Sequence, residues 1–557
     1  MNCLILGAGL MQKPAILSAK EAGFKTCVVD ADKNAVAIPY ADEFCQIDLK
    51  DKEGILKYAQ TLSKSENGGL AAVFTAGTDF SASVSYVCEK LKLPAHSYNA
   101  ALNASVKTLM RQCFKDAEVP SPKFINASIE DKTEDVLKKV LSVMNYPFVI
   151  KPVDNMGARG CRMVRSENEF ESSLKAAVSC SRTKNAIIEE YMEGPEYSID
   201  AVVYNGSFTI TGFAIRHIKY PPYFIEVGHT MPAVLEKKIH DELISVFALG
   251  AKSLGLSCGV AKADIKYTKK GPMIGEIAGR LSGGYMSGWT YPYSSDLNLT
   301  KQALLVAAGK EPEELLKKRI PVDYCPSELC KNHEKPYELY EVPSVRTCAE
   351  RAWMSIPGVI KNIEDIEDFT DKAITDVLPR AGAGIGNTVT FPRNNVEKCG
   401  NIISVSHKRE IAVEAGENAV SNIFITLEPC NPLTDEFLNG NSKSDEDSFP
   451  PYAFFKLSNA QEEELTKELS LNGDIIGKNQ KAYDFIPELL KNSDYRMIKD
   501  WSYNTIEATL QKFDVLRKNH PELNSLDFFK AVLRGGLQGA VYYSDSLEIK
   551  VNANEEK

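Results

Sequence analysis

The chain has 557 residues, too many for one hydrophobic core, so several domains are expected. Its 44% hydrophobic and 25% charged residues are ordinary for a globular protein, and a formal net charge of −10 gives no electrostatic ground for nucleic acid or an anionic membrane as partner. No run is apolar enough for long enough to span a bilayer, and the first apolar run reads as a strand rather than a leader. Irregularly spaced cysteines, several in strand-like runs (Cys3, Cys27, Cys161, Cys258), predict reduced thiols in a cytoplasmic protein. Cys325, Cys330 and His333 are close in CPSELCKNH, but without a fourth ligand or zinc-knuckle spacing they read as chance neighbours.

In chain order, NCLILG, KTCVVDA, EFCQIDL and AAVFTAG predict strands, with helices KEGILKYAQTLSK and FSASVSYVCEKL among them, a parallel α/β unit over 1–100. The turn LILGAGLMQ resembles a dinucleotide-binding turn in Gly7 and Gly9 but has Gln12 where the third glycine belongs. Asp30 ends the second strand near where a ribose-binding acid would sit, so an NAD- or FAD-dependent oxidoreductase is one reading. Ligands of such sheets bind beyond the carboxyl ends of the strands, which groups Gly7, Gly9, Thr78 and Asp79 around one crevice. Next, SVKTLMRQCFKDAEVPSPKF predicts a helix stopped by Pro120 and Pro122, and β-rich segments run to about residue 290. Residues 340–429 read as a second α/β stretch. LTDEFLNGNSKSDEDSFPP reads as a polar linker, and the remainder is mostly helical, as in AQEEELTKEL and SYNTIEATLQKFDVLRKNH.

Three segments carry chemistry. In YPFVIKPVDNMGARGCRMV one strand delivers Lys151 and a loop with Gly157 and Gly160 leads to another, so backbone N–H groups and a fixed ammonium can meet a polyphosphate. In AIIEEYMEGPEYSIDAVVYNG the acids Glu189 and Glu190, the backbone at Tyr191 and Met192, and Glu196 can meet an adenine edge and a ribose. In GVAKADIKYTKKGPMIGEIAGRLSGG two strands flank a KKGP turn. Antiparallel pairing there brings Asp264 and Glu276 onto one face within a span magnesium could bridge, with Arg280 four residues on. Each segment alone is also compatible with a surface hairpin.

Together and in this order the segments resemble the ATP-grasp superfamily, over roughly residues 1–430. The resemblance implies an α/β (α+β) protein: a pre-ATP-grasp Rossmann-like domain (1–100), an ATP-grasp core (101–330, lid subdomain about 115–190), a C-terminal lid α/β domain (331–430), a linker (431–451) and a helical extension without an assigned role (452–557). It implies that Lys107 and Lys151 contact ATP phosphates under a loop containing Met156, Gly157, Arg159 and Gly160. Glu189, Glu190, Tyr191 and Met192 would hold adenine, Glu196 the ribose, and Asp264 and Glu276 magnesium or manganese. PYFIEVGHTMPA, with Glu226 and His229, and Glu-x-Ala-x-Arg (Glu276, Ala278, Arg280) resemble the bacilysin-type L-amino-acid ligases, in a branch that also resembles the carbamoyl-phosphate synthase large chain.

That likeness implies that Glu226 and Arg280 face the substrate and that His229 lies by the reacting centre. Lys151, Arg280 and His229 become the catalytic candidates. Ser282 and Gly283, with Gly7, Gly9, Thr78 and Asp79, would line the acceptor crevice. Gly284 stands where a bulky tryptophan can limit that pocket, and Ala278 removes one usual metal ligand. The expected activity is an ATP-dependent carboxylate–amine ligation through an acyl phosphate. A carboxylase or purine-pathway ligase and a non-catalytic ATP-binding module are the alternatives. Expected partners are a small carboxylate and an amine, with no nucleic acid or membrane, and a homodimer is compatible with the reading.

Overall fold

The N-terminal run NCLIL forms β1 (Asn2–Leu6), the buried centre of a parallel sheet with β2 (Lys25–Asp30), β3 (Glu43–Gln46) and β4 (Leu70–Phe74) in the order β3-β2-β1-β4. Its unbroken apolar character has a simple cause, since helices cover both faces of a parallel sheet. Cys3 and Ile5 join a core with Ile16 and Ala19 on one side, while Leu4 and Leu6 join Ile55, Ala59 and Val87 on the other. The computed structural model describes residues 1–65, 68–364, 371–439, 457–476, 486–491 and 499–555. The chain divides into two units. The first comprises Met1–His217, His229–Ala349 and Val405–Arg409, and the second Ile218–Gly228, Glu350–Ser404 and Glu410–Lys557.

In the first unit, β5 (Phe124–Ser128), β6 (Phe148–Pro152), β7 (Arg162–Val164) and β8 (Asn185–Glu190) form an antiparallel sheet in the order β5-β8-β6-β7. Strand alternation in β6 sends Phe148 and Ile150 into a core shared with Val140, Phe170 and Leu174, leaving Lys151 on the opposite face. A second antiparallel array follows. It is built from β9 (Glu196–Tyr204), the first-unit part of β10 (Ser207–Lys219), β12 (Gly259–Thr268) and β13 (Gly271–Ala278), with β11 (Ile225–Met231) divided between the units at Gly228. One face, with Ile199, Ala263, Ile265, Ile274 and Ile277, packs on Leu243, Ile244 and Phe247 of the helix Lys237–Ser253. The other is apolar at Val202 and Val260 and charged further along, at Lys262 and Asp264.

The second unit has a sheet of Thr388–Val389, Gly358–Glu364 and Phe424–Leu427, and an antiparallel pair from Ile374–Pro379 and the second-unit part of the strand Gly400–Ser406, up to Ser404. Its core joins Trp353, Ile360, Phe391 and Leu427 to Trp501, Ala531 and Tyr542 from the C-terminal segment, with Phe391 and Trp501 packed edge to face at 4.8 Å. Gln538 donates to Ser355 Oγ and accepts from the Ile356 N–H. A further helical core gathers Leu465, Leu510, Phe513, Phe528 and Leu533. The stretch read as a polar linker opens with a helix, Pro432–Asn439, because Phe437 and Leu438 are buried there; residues 440–451 lie outside the described residues. Among the described residues no helix is long and apolar enough to cross a membrane.

Candidate active site

The opening glycine turn is closed by its own chain. Gly7 has φ +98°, and a Cβ there would meet Gln12 Cδ at 3.0 Å. Gln12, buried beneath the turn, donates to the Ala76 carbonyl at 2.6 Å, and Asp30 accepts from the Ala8 N–H at 2.8 Å. The acid that a dinucleotide reading assigns to ribose thus holds the turn itself, which removes the main support for an oxidoreductase. The turn's neighbourhood within this unit includes the Ser282–Gly283 segment: Gly77 donates to the Leu281 carbonyl, and a Cβ at Gly283 would meet Gly77 O at 3.4 Å. Thr78 and Asp79 follow immediately and are half-buried.

Lys151 and Glu189 meet because β6 and β8 are neighbours, with Val149 opposite Glu189. Lys151 Nζ lies 2.7 Å from Glu189 Oε2, and Arg111 Nε donates to Glu189 Oε1, also at 2.7 Å. Burial pushes the Glu189 carboxyl up, but the two cations outweigh it and hold it below the usual carboxylate range. Arg111 and Lys151 thus engage one oxygen each of Glu189. Glu190 is half-buried, 3.6 Å from Lys270 Nζ; Lys266 Nζ lies 5.1 Å over the Tyr191 ring; and the Met192 methyl lies beside Gly275, where a Cβ would meet it at 3.6 Å. The glycine loop is anchored at its base, where Asn155 receives the Met156 N–H and donates to the Cys180 carbonyl. Arg159 donates to the Met156 carbonyl, and Gly157, Ala158 and Gly160 all have positive φ.

Register arranges the charged face of β9, β12 and β13 in cross-strand rows. Glu196 lies opposite Lys266, and Arg216 of β10 lies opposite Glu196. Next, Asp264 lies between Ser198 and Glu276; beyond it, Lys262 lies between Asp200 and Ala278. The side chains within and along these rows share one face. Arg216 reaches Glu196 at 2.6 Å and Asp264 at 3.0 Å, while Lys262 Nζ is hydrogen-bonded to Asp264 Oδ2. Lys107 Nζ lies 3.7 Å from Glu276 and donates to the Asn155 carbonyl. Burial raises the Glu276 carboxyl, but Lys107, Lys262, Lys151 and Arg280 together hold it at about 2. Glu276 is thus an anion at neutral pH.

Arg280, two residues beyond β13, pairs with Asp79 Oδ1 at 2.6 Å. Two residues on, the Ser282 N–H and hydroxyl donate to Asp200 Oδ2 at 3.0 and 2.9 Å. Asp200 is fully buried and its Oδ1 has no hydrogen-bond donor among the described residues; burial pushes its carboxyl up to about 6 against the pull of Ser282, Lys262 and Arg280. His229 is fully buried, with Nε2 and Thr290 Oγ1 sharing a 2.8 Å hydrogen bond. Glu226 belongs to the second unit, where its N–H donates to Asn395 and its carbonyl accepts from Lys398.

The first unit therefore brings together Lys107, Lys151, Asp264, Glu276 and Arg280. Arg111, Lys262, Arg216 and Asp200 were absent from the sequence-derived site. Spacing of two from Asp264 could have flagged Lys262, whereas Arg111 gives no local signal. Among the described residues no three His, Cys, Asp or Glu side chains form a metal cluster. Two opposed carboxylates nevertheless fit magnesium, a hard ion that commonly takes one or two protein carboxylates and completes its shell with phosphate and water.

Residues 144–288 match the ATP-grasp domain family. The chain is 26% identical over 238 residues to the formate-dependent phosphoribosylglycinamide formyltransferase of Francisella tularensis, covering 41% of this chain and 55% of that protein. It is 24% identical over 332 residues to carnosine synthase 1 of Homo sapiens, covering 56% and 40%. The L-amino acid ligase from Bacillus licheniformis shares the fold, with a TM-score of 0.64 at 18% identity over 77% of this chain and 98% of that one. The chain spans about half the length of the curated relatives it matches. It carries an ATP-grasp domain, in a mixed α/β fold shared with ligases of that class.

Proposed function

We propose that the protein is an ATP-dependent carboxylate–amine ligase. The observation that carries this reading is the convergence of Lys107, Lys151 and Arg280 around Glu276, with Asp264 directly across the hairpin. The γ-phosphoryl group of ATP passes to a substrate carboxylate; an amine then attacks the acyl carbon, the amide forms, and ADP and phosphate leave. Lys107 and Lys151 hold the phosphates, Lys151 being oriented by Glu189. Arg280, aimed by Asp79, neutralises charge that builds up on the transferring group. Asp264 and Glu276 would hold magnesium, which would supply further charge neutralisation. Ser282 and Gly283, beside Gly77 and the glycine turn, form the floor of an acceptor crevice.

The likeness to an L-amino acid ligase and to carnosine synthase 1 supports an amino acid or related small acid as the carboxylate. The likeness to a formate-dependent formyltransferase supports a second reading, in which formate or bicarbonate is the acid. An ADP-release screen of purified protein separates them, with amino acids, formate and bicarbonate each offered with and without an amine panel and products read by mass spectrometry. Amine-dependent ADP release with an amide of an amino acid supports the first reading. Release with formate or bicarbonate alone supports the second, and no release with any mixture counts against both.

A further inference from the structure

We infer that Lys262 stands in for a second divalent cation, so that the nucleotide is bound with a single metal ion. Lys262 is nearly buried, with its side chain only 10% exposed, and its ammonium rests on Asp264 Oδ2. Asp264 Oδ1 lies 3.0 Å from the Arg216 guanidinium, so both oxygens of this carboxylate face protein cations. Among the described residues Glu276, directly across the hairpin, has Lys107 alone as an ion-pair partner, at the longer distance of 3.7 Å. The residue opposite Lys262 on β13 is Ala278, whose methyl offers no ligand and leaves room for the lysine stem. On its other side Lys262 faces Asp200, whose Oδ2 is already taken by Ser282.

Two carboxylates offset by two fixed cations leave no surplus negative charge of their own, so a dication there depends on the nucleotide phosphates and on Glu276, the less engaged of the pair. A second would sit against the Lys262 ammonium, where like-charge repulsion opposes it, and Ala278 offers it no ligand. A built-in ammonium also costs no metal ordering at each turnover. The inference rests on the ATP reading above.

The test is Mn2+ binding in the presence of a non-hydrolysable ATP analogue, counted by the loss of the free Mn2+ spectrum in electron paramagnetic resonance. Spin coupling between neighbouring ions reports directly on a two-metal site. The wild-type chain is expected to take up one Mn2+ per bound nucleotide, with an uncoupled spectrum. Lys262→Met is expected to acquire a second, spin-coupled Mn2+, bound at least ~10-fold more tightly than any second ion in wild type, while Lys262→Arg keeps one. Two coupled ions in the wild-type chain would overturn the inference and leave the ATP reading intact; this arm needs no variant to fold. A second site no tighter in a folded Lys262→Met variant would also overturn it. Analogue that fails to bind at any Mn2+ concentration would overturn the ATP reading and this inference with it.

Discussion

Arg280 is aimed by one carboxylate, Asp79, so its charge and its orientation can be separated experimentally. Arg280→Ala removes a cation from the transferring group and is expected to lower kcat by ~10²–10³ while binding of an ATP analogue persists. Asp79→Asn keeps the guanidinium but loosens it, so a smaller fall in kcat is expected, again without loss of analogue affinity. Both are read by steady-state kinetics beside a binding titration. Glu189 acts differently, because removing it strands a buried arginine. Glu189→Ala is expected to cost about 3–5 kcal/mol in urea denaturation, as when one partner of a buried pair is deleted, and to weaken ATP binding by freeing Lys151.

Asp200 predicts a pH signature. Its pKa is raised to about 6 in the folded chain, so its contribution to stability is full below the ordinary carboxylate range and is lost as pH rises through 6. Asp200→Asn cannot titrate, and should gain on wild type by roughly 3 kcal/mol between about pH 4 and pH 7. Parallel stability curves for the two proteins would contradict the assignment.

At the scale of elements, the glycine loop between β6 and β7 is held by backbone shape as much as by contacts. Gly160 has φ +69°, and a Cβ there would lie 2.8 Å from Cys180 Cβ, so Gly160→Ala combines strain with a clash. Strain of this kind is worth ~1–3 kcal/mol, and a rise in the KM for ATP of about tenfold or more is expected, with little change in the rest of the unit. The same hairpins show what was legible in the sequence and what was not. Lys151, Asp264, Glu276 and Arg280 could be read because strand alternation and a short turn fix where they point. Lys262 lay in the same quoted segment, yet its meaning needed the register that sets it against Asp200 and Ala278. Arg111 and Glu189 are 78 residues apart, and nothing local in either helix or strand announces the pair. Gln12 was legible as a departure from the dinucleotide pattern, but its role as the plug beneath Gly7 depends on the Ala76 carbonyl, supplied by the segment just after β4.

At the scale of the whole chain, the C-terminal segment is part of the second unit's core. Trp501, Ala531 and Tyr542 pack with Trp353, Phe391 and Phe437, and the Tyr542 hydroxyl accepts from the Asn431 N–H and lies 2.9 Å from Asp435 Oδ1. Sequence pattern alone marked it as helical but could not say what its apolar faces cover. Each large side chain so buried contributes roughly 1.5–3 kcal/mol. Truncation after residue 451 is therefore expected to unfold the second unit, seen as lost cooperative melting and rapid proteolysis of residues 350–439. A truncated chain with an unchanged melting profile would show the segment to be an appendage instead. The central claim, transfer of a phosphoryl group to a carboxylate, is tested most directly by isotope tracing. With the acid identified by the ADP-release screen and labelled with ¹⁸O in its carboxylate, one turnover should deliver a single ¹⁸O to the released phosphate. Label in AMP, or phosphate whose fourth oxygen comes from water instead of the carboxylate, would contradict it.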